Sequence, residues 1–323
     1  MELRLPNSAH LGNIEGFVRG FNPDGKADEL SLEIHPKWVS VHPAVLAMSA
    51  TAGATMIANG GLVTAKVPQI KSLPYLVRMG LFDVLQINPG ITVTEHEEAG
   101  RFIPLTNVRD NKGLSEFIVN MIPLLHASPD EAEPIKYVIS ELVRNALEHA
   151  VSPVGAFVCA QYFKKTERLA IGVADSGIGI LGSMSRSHPV KSSMEAITLA
   201  LKPGITGTTS RFGGTEYNAG AGLFFTKAIA CASRNFFVAY SGDALFKLRR
   251  TPSGQTPVIH ADPNDDIATR VEGLPPWQGT VVGIDIGIEA HKTFDDLLRE
   301  IRGAYQLQVR EGRKARYKRP RFA

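Results

Sequence analysis

The sequence predicts an α/β protein in two parts, an α+β sandwich preceded by a smaller α/β unit. Three observations point there. The first 90 or so residues alternate strand and helix signals. From about residue 100 a second series of helices and strands runs around a long loop-rich stretch. The chain has 323 residues, more than one hydrophobic core usually serves, so its length also argues for two units.

Taken in order, ELSLEIH at 29–35 has apolar residues at every second position and reads as a strand. PAVLAMSATAGATMIAN at 43–59 reads as a helix ended by Gly60 and Gly61, and GLVTAKV at 61–67 as a strand. Pro68 opens a short helix through YLVRMG, with Gly80 as its stop. FDVLQI is expected as another short strand. This order predicts helices packed on a sheet. The turn-rich NPGITVTEHEEAG at 88–100 marks the boundary, giving a first domain over 1–95, a second over 96–301 and a basic tail over 302–323.

The second domain opens with a strand, FIPLTNV at 102–108, and a helix over about 113–126. ASPDEAEP at 127–134 then supplies N-cap candidates and early acidic residues for the next helix. Strands GAFVCAQYF (155–163) and RLAIGVAD (168–175) follow, then helices SMEAITLAL (193–201) and LFFTKAIACA (223–232). Strands FFVAYS, LFKLRR and TVVGIDIGI come next, and HKTFDDLLREIRGAYQL is expected as a last amphipathic helix. There is no internal repeat.

Composition narrows the class. With 44% hydrophobic and 21% charged residues the chain is globular rather than disordered, and a net charge of +3 is too small to imply a polyanion partner by itself. MELRLPNSAH has no apolar run of signal-peptide type. The longest uncharged stretch, His42 to Ala65, is interrupted by Ser, Thr, Asn and a Gly-Gly pair, so it reads as a buried helix and turn rather than a membrane span. Cys159 and Cys231 are far apart, and the nine histidines form neither HExxH nor a Cys/His cluster, which argues against a structural zinc site or a metalloprotease. The expectation is a cytoplasmic protein with no membrane association.

Three segments carry candidate chemistry. In ISELVRNALEHA (139–150), Glu141, Asn145 and His149 recur every four residues and so share one helix face. Ile139, Leu142, Val143, Ala146, Leu147 and Ala150 cover the other side. A plain solvated face would look the same, so partner chemistry elsewhere must decide. VADSGIGI (173–180) runs a strand into Asp175, with Gly177 and Gly179 allowing a tight turn against a flat ligand. A carboxylate at a strand end in an apolar pocket can accept a hydrogen bond from an exocyclic amine. GTTSRFGGTEYNAGAGLFFTK (207–227) is a Gly/Thr/Ser/Asn-rich loop ending in Gly220 and Gly222 at the start of a helix. Bare N–H groups there suit an anion, and a loop of that length more often binds something than fills space.

The three segments, in this order and followed by Gly279-Thr280 opening a strand, resemble the GHKL or histidine-kinase-like ATPase superfamily, which includes gyrase, histidine kinases and MutL. The likeness covers roughly residues 100–290. It matches Glu141, Asn145 and His149 to the N-box, Asp175, Gly177 and Gly179 to the G1 box, and Gly220 and Gly222 to the G2 box. It implies a Bergerat-type ATP-binding domain with helices on one face of a mixed sheet. It further implies that Glu141 is the catalytic base, that Asn145 holds Mg²⁺, and that His149 lies near the nucleotide. Asp175 would read the adenine amine, Gly220, Gly222 and Leu223 would offer N–H groups to the phosphates, and Thr280 would flank the adenine. The lid would run from Lys202 to Ala219, with Thr208, Thr209 or Arg211 touching the γ-phosphate.

ISELVRNALEHA looks most like the N-box of the anti-sigma-factor serine kinases, and residues 41–85 resemble a STAS-like domain, the fold of the antagonists those kinases phosphorylate. The implied protein is a Mg-ATP-binding regulatory kinase or ATP-dependent switch whose N-terminal domain meets a protein partner. A homodimer stays open. The loop between the G1 and G2 boxes is longer than in the small anti-sigma kinases. Only about 40 residues follow Thr280, too few for the transducer domain of gyrase-like members, and His126 sits beside a Pro-containing turn rather than in a phosphoacceptor hairpin. The alternative is a nucleotide-gated ATPase that remodels a protein or nucleic-acid assembly. The tail from Arg302 carries eight Lys or Arg side chains against Glu311, with Tyr317 and Phe322 interleaved. It would suit nucleic acid or an acidic surface, with a solvated terminus that keeps the protein soluble as the favoured reading.

Overall fold

A computed structural model of the chain describes residues 1–25, 28–93, 102–121, 129–207 and 222–287, together with 299, 301 and 303. The N-terminal part holds a three-stranded parallel sheet of β1 (Glu2–Leu5), β3 (Glu29–Ile34) and β5 (Leu62–Lys66), in that order. A short parallel pair, β2 (Ser8–Ala9) and β4 (Ser40–Val41), lies beside it with helices α1 (Ile14–Arg19), α2 (Pro43–Ala58), α3 (Leu73–Arg78) and α4 (Leu81–Leu85). In β3 the expected alternation is present: Leu30, Leu32 and Ile34 are buried, and Ser31 and Glu33 are exposed.

The second part is one sheet of seven strands, β6 (Phe102–Val108), β7 (Ala156–Phe163), β8 (Arg168–Asp175), β9 (Phe237–Gly242), β10 (Ala244–Leu248), β11 (Ala268–Val271) and β12 (Trp277–Gly287). Their order is β11-β10-β9-β12-β8-β7-β6. Every pairing is antiparallel, so the expected mixed sheet is corrected. Short links between β7 and β8 and between β9 and β10 force hairpins, which are antiparallel by construction. Helices α5 (Asn111–Met121), α6 (Pro129–His149), α7 (Gly179–Met184), α8 (Ser193–Ala200) and α9 (Gly222–Ala232) supply side chains to the core on one face, including Leu142, Ile180, Ile197 and Phe224 with Ile171 and Ile284 of the sheet.

The other face is covered by the N-terminal part. Phe157, Cys159, Ala174, Val238, Tyr240 and Val281 share a second core with Leu46, Phe82 and Leu32. Helix α2 lies between the two sheets and is buried without a break from Pro43 to Gly53. A helix closed in on all sides has no need of a polar face, which is why its sequence is apolar or small throughout. Its first turn sits over Gly172 of β8 and Gly283 of β12, which are register partners. A Cβ on Gly172 would run into the backbone of Pro43 and Ala44, and one on Gly283 would meet Leu11 and Ala44. The glycine pair thus makes the trough that lets a helix backbone approach the sheet directly. Gly172→Ala is expected to cost at least the ~1–3 kcal/mol typical of overpacking, read as a lower urea midpoint at unchanged slope.

The start of α2 is also fixed by polar contacts. His42 Nδ1 accepts the Ala44 N–H at 3.0 Å as the helix cap. His42 Nε2 stands 3.4 Å from Asp285 Oδ1, and Arg168 donates to Asp285 Oδ2 at 2.8 Å. His42 and Asp285 are fully buried.

The first four residues of FDVLQI (82–87), expected as a strand, belong to the helix α4. Gly80, at φ +73°, breaks the chain out of α3, and Leu81, Phe82 and Leu85 bury one helical side. A short apolar run fits either period. The strand β1, the short pair β2 and β4, helices α1 and α7, and the edge strand β11 were not anticipated. The end of the helix expected to 126, His126, most of the expected last helix, and all of the basic tail but Gly303 lie outside the described residues. Among the described residues no helix is long and apolar enough to cross a membrane.

Candidate functional site

A cavity of ≈ 340 Å³ lies among α6, α7, the start of α9 and the adjoining ends of β8 and β12. The period of α6 sends Leu142, Val143 and Ala146 into the core and turns Glu141, Asn145 and His149 along the cavity wall. The period of β8 does the rest: Val173 and Asp175 face the cavity, while Ala174 belongs to the core shared with α2. Register pairs Asp175 with Thr280 and Val173 with Val282, so four side chains of two neighbouring strands share this face.

Asp175 is only 3% exposed. Its Oδ1 accepts the Gly177 N–H at 2.8 Å, and the Thr280 N–H donates to the same carboxylate. Burial outweighs these two donors and raises its pKa to about 7. Among the described residues it has no cationic partner. The backbone around it is closely packed. Gly279 has φ +113°, and a Cβ there would collide with the Asp175 carbonyl. Ser241 links the turn, its Oγ donating to Gly279 O at 2.6 Å and accepting the Ile180 N–H at 2.9 Å.

Glu141 lies against the start of α9, where a Cβ on Gly222 would run into its Oε2 and come within 3.4 Å of Asn145 Nδ2. Burial raises the Glu141 pKa, with Arg144 at 3.3 Å opposing and Glu148 adding to the rise. His149 is shifted downward, chiefly by burial, with Glu148 acting against the shift and Arg186 adding to it. Asn145 Nδ2 is buried and, among the described residues, has no hydrogen-bond partner. An amide left unpaired among the described residues, beside the start of a helix, suits a ligand, since burying it unpaired is costly.

The structure therefore brings together eight of the ten residues singled out in sequence: Glu141, Asn145, His149, Asp175, Gly179, Gly222, Leu223 and Thr280 all line the cavity. Gly177 is not in its wall. A Cβ there would strike Ala150, and this close approach lets the Ile178 N–H reach Ala150 O at 2.7 Å, tying the strand end to the end of α6. Gly220, Thr208, Thr209 and Arg211 lie outside the described residues. Sequence reasoning missed Val173 and Val282, which strand alternation from Asp175 and Thr280 would have found. It also missed Met184 and Ala200, which had no local signal, whereas Ile205, Thr206 and Gly207 of the cavity wall fall within the expected lid.

Chemically, the cavity offers a carboxylate at an apolar base, an amide and a second carboxylate along one wall, and the N-terminal end of an eleven-residue helix. These suit, in turn, a flat ring bearing an amine, a divalent cation and an anion. The residues fit Mg-ATP in these respects. The Asn145 amide, whose oxygen and nitrogen exchange places by a simple flip, is the group that would hold the metal. Comparison of the chain with protein-family models finds no match, and comparison with curated proteins finds none either.

Proposed function

We propose that the chain binds Mg-ATP in this cavity and works as a regulatory kinase or ATP-dependent switch of the histidine-kinase-like type. The N-terminal layer would receive a protein partner. The observation that carries the reading is Asp175, a carboxylate buried at the cavity base with backbone donors and no cation among the described residues. A buried acceptor of that kind is costly unless a ligand donor meets it, and the exocyclic amine of adenine is such a donor.

The roles follow from position. Asp175 and Thr280 hold the base between the apolar side chains of Val173, Val282 and Met184. The start of α9 at Gly222 and Leu223 receives phosphate oxygens. Asn145 holds Mg²⁺, which when bound neutralises charge on the phosphates. Glu141, whose pKa burial raises above its ordinary value, takes the proton of an attacking hydroxyl.

Calorimetric titration of ATP with and without Mg²⁺ tests this. Wild-type protein should bind, and Asn145→Ala should lose most of the Mg²⁺ dependence, about tenfold in affinity, while keeping metal-free binding. Wild-type protein that binds no adenine nucleotide under either condition would overturn the reading.

A further inference from the structure

The cavity has a rear support that belongs to the N-terminal part of the chain. Alternation along β8 turns Asp175 to the cavity and Ala174 to the opposite face, where α2 lies. Three hydroxyls of α2 are buried or half-buried, and they are used differently. Ser49 Oγ returns to Val45 O at 2.7 Å. Thr51 Oγ1 returns to Ala47 O at 2.8 Å, and Ala174 O stands at 3.2 Å as its second acceptor. Such bonds to the residue four back are what Ser and Thr ordinarily make inside helices. Thr55 does something else: its hydroxyl crosses to Ser176 Oγ at 2.9 Å.

Ser176 is 5% exposed and directly follows Asp175. Its hydroxyl also lies 3.5 Å from Ser152 Oγ, and Ser152 donates to Gly155 O at 2.7 Å. Thr55 thus ends a run of hydroxyls joining α2 to the strand end and to the turn after α6. A second grip comes from Trp277, whose Nε1 donates to Asp175 O at 3.1 Å. The Trp277 ring packs edge-on against Phe21, with centroids 5.7 Å apart, and Phe21 follows α1 in the N-terminal part. Ala174, Asp175 and Ser176 are each therefore held by a residue of the N-terminal layer or by one leaning on it.

We propose that Thr55 is a positioning residue for the nucleotide site. By holding Ser176 it sets the place of the Asp175 carboxylate, so that adenine-nucleotide affinity answers to how α2 sits on the sheet. The consequence is reciprocal: whatever shifts α2 changes nucleotide affinity, and nucleotide binding biases α2 by the same factor. This rests on the nucleotide reading above, but the geometry of the contact does not.

The test uses the full chain and two variants. Thr55→Val keeps the shape and removes the donor, whereas Thr55→Ser keeps the donor. Two quantities are read: ATP affinity by calorimetry, and hydrogen–deuterium exchange of backbone amides over residues 175–178. The expected result is that Thr55→Val binds ATP about fivefold more weakly, with faster exchange confined to 175–178, and that Thr55→Ser restores both. Wild-type affinity and exchange in Thr55→Val would overturn the proposal, as would a loss in Thr55→Val that Thr55→Ser fails to restore. If wild-type protein binds no ATP, the nucleotide reading falls and exchange alone decides. Faster exchange at 175–178 in Thr55→Val then upholds the positioning role, and unchanged exchange ends it.

Discussion

Asp175→Asn is expected to weaken ATP binding by about a hundredfold and, in the same protein, to remove a pH-dependent loss of stability. The first effect follows from the chemistry of the pair. A buried carboxylate makes a charge-assisted bond to an amine, worth roughly 1.5–3 kcal/mol, and the amide that replaces it presents N–H groups where an acceptor is needed. The second follows from linkage. The folded-state pKa of Asp175 is about 7 against an ordinary value of 3.8. The folded protein therefore holds this proton more tightly than the unfolded chain does. Its contribution to stability is fully present below pH 3.8 and is lost as pH rises to about 7, a difference of roughly 4 kcal/mol over three units. Asn carries no such proton. Melting temperatures of ligand-free wild-type and variant protein between pH 4 and 8 should diverge, the wild type falling relative to the variant as pH rises. Parallel curves would mean that Asp175 stays ionised in the fold and that its burial is offset by its backbone donors alone.

This combination is informative because a purely structural Asp175 would behave otherwise. A carboxylate retained only for its bonds to Gly177 and Thr280 would make the variant less stable at every pH. A carboxylate that costs stability at neutral pH would instead leave the variant more stable there than the wild type.

How much of this was legible in sequence depended on whether the signal was local. Strand β8 was placed at its observed bounds because RLAIGVAD is apolar up to a carboxylate and is followed by glycines. The helix face of Glu141, Asn145 and His149 followed from spacing alone. FDVLQI at 82–87 was misassigned because six residues are too few for period two and period 3.6 to separate, and the deciding feature, Gly80 at φ +73°, is conformational. The all-antiparallel sheet was missed because strand partners are long-range facts, although the two short hairpin links contained a hint.

Other features could not be read locally at all. Lys227 in LFFTKAIACA looks like a solvated lysine, yet it is 1% exposed and donates to Asp266 Oδ2 and His260 O. Its partners come from a loop more than 30 residues away. Gly172 and Gly283 looked like ordinary strand glycines, and their shared role under α2 appears only once the register of β8 and β12 is known. The sharing of a core between the N-terminal residues and the back of the seven-stranded sheet is of the same kind, since composition on either side of residue 95 says nothing about contact.

Asp285→Ala is expected to cost about 3–5 kcal/mol, the range for removing one partner of a buried ion pair. Asp285 is fully buried on β12, close to the glycine trough that seats α2. It holds the Arg168 guanidinium at 2.8 Å and stands 3.4 Å from His42, the cap of α2. Without it Arg168 keeps a largely buried charge with no counterion, and the cap loses its neighbour. The polar balance here is already tight, since His42 Nε2, Arg168 Nε and Asp285 Oδ1 are all buried without a hydrogen-bond partner among the described residues. Burial works to raise the Asp285 pKa, but the proximity of His42 and the charges of Arg168 and Arg250 outweigh it and leave the carboxyl below its ordinary value. The sign is thus opposite to that of Asp175. Asp285 contributes stability that is present above pH 3.8 and lost as pH falls through its lower folded value. Urea unfolding at pH 7 and pH 3 separates the two terms: the penalty of Asp285→Ala should be large at neutral pH and smaller in acid. A penalty independent of pH would assign the loss to packing under α2 instead of to the ion pair. A double variant with Arg168→Met tests the same point, because losing both partners should cost less than losing Asp285 alone.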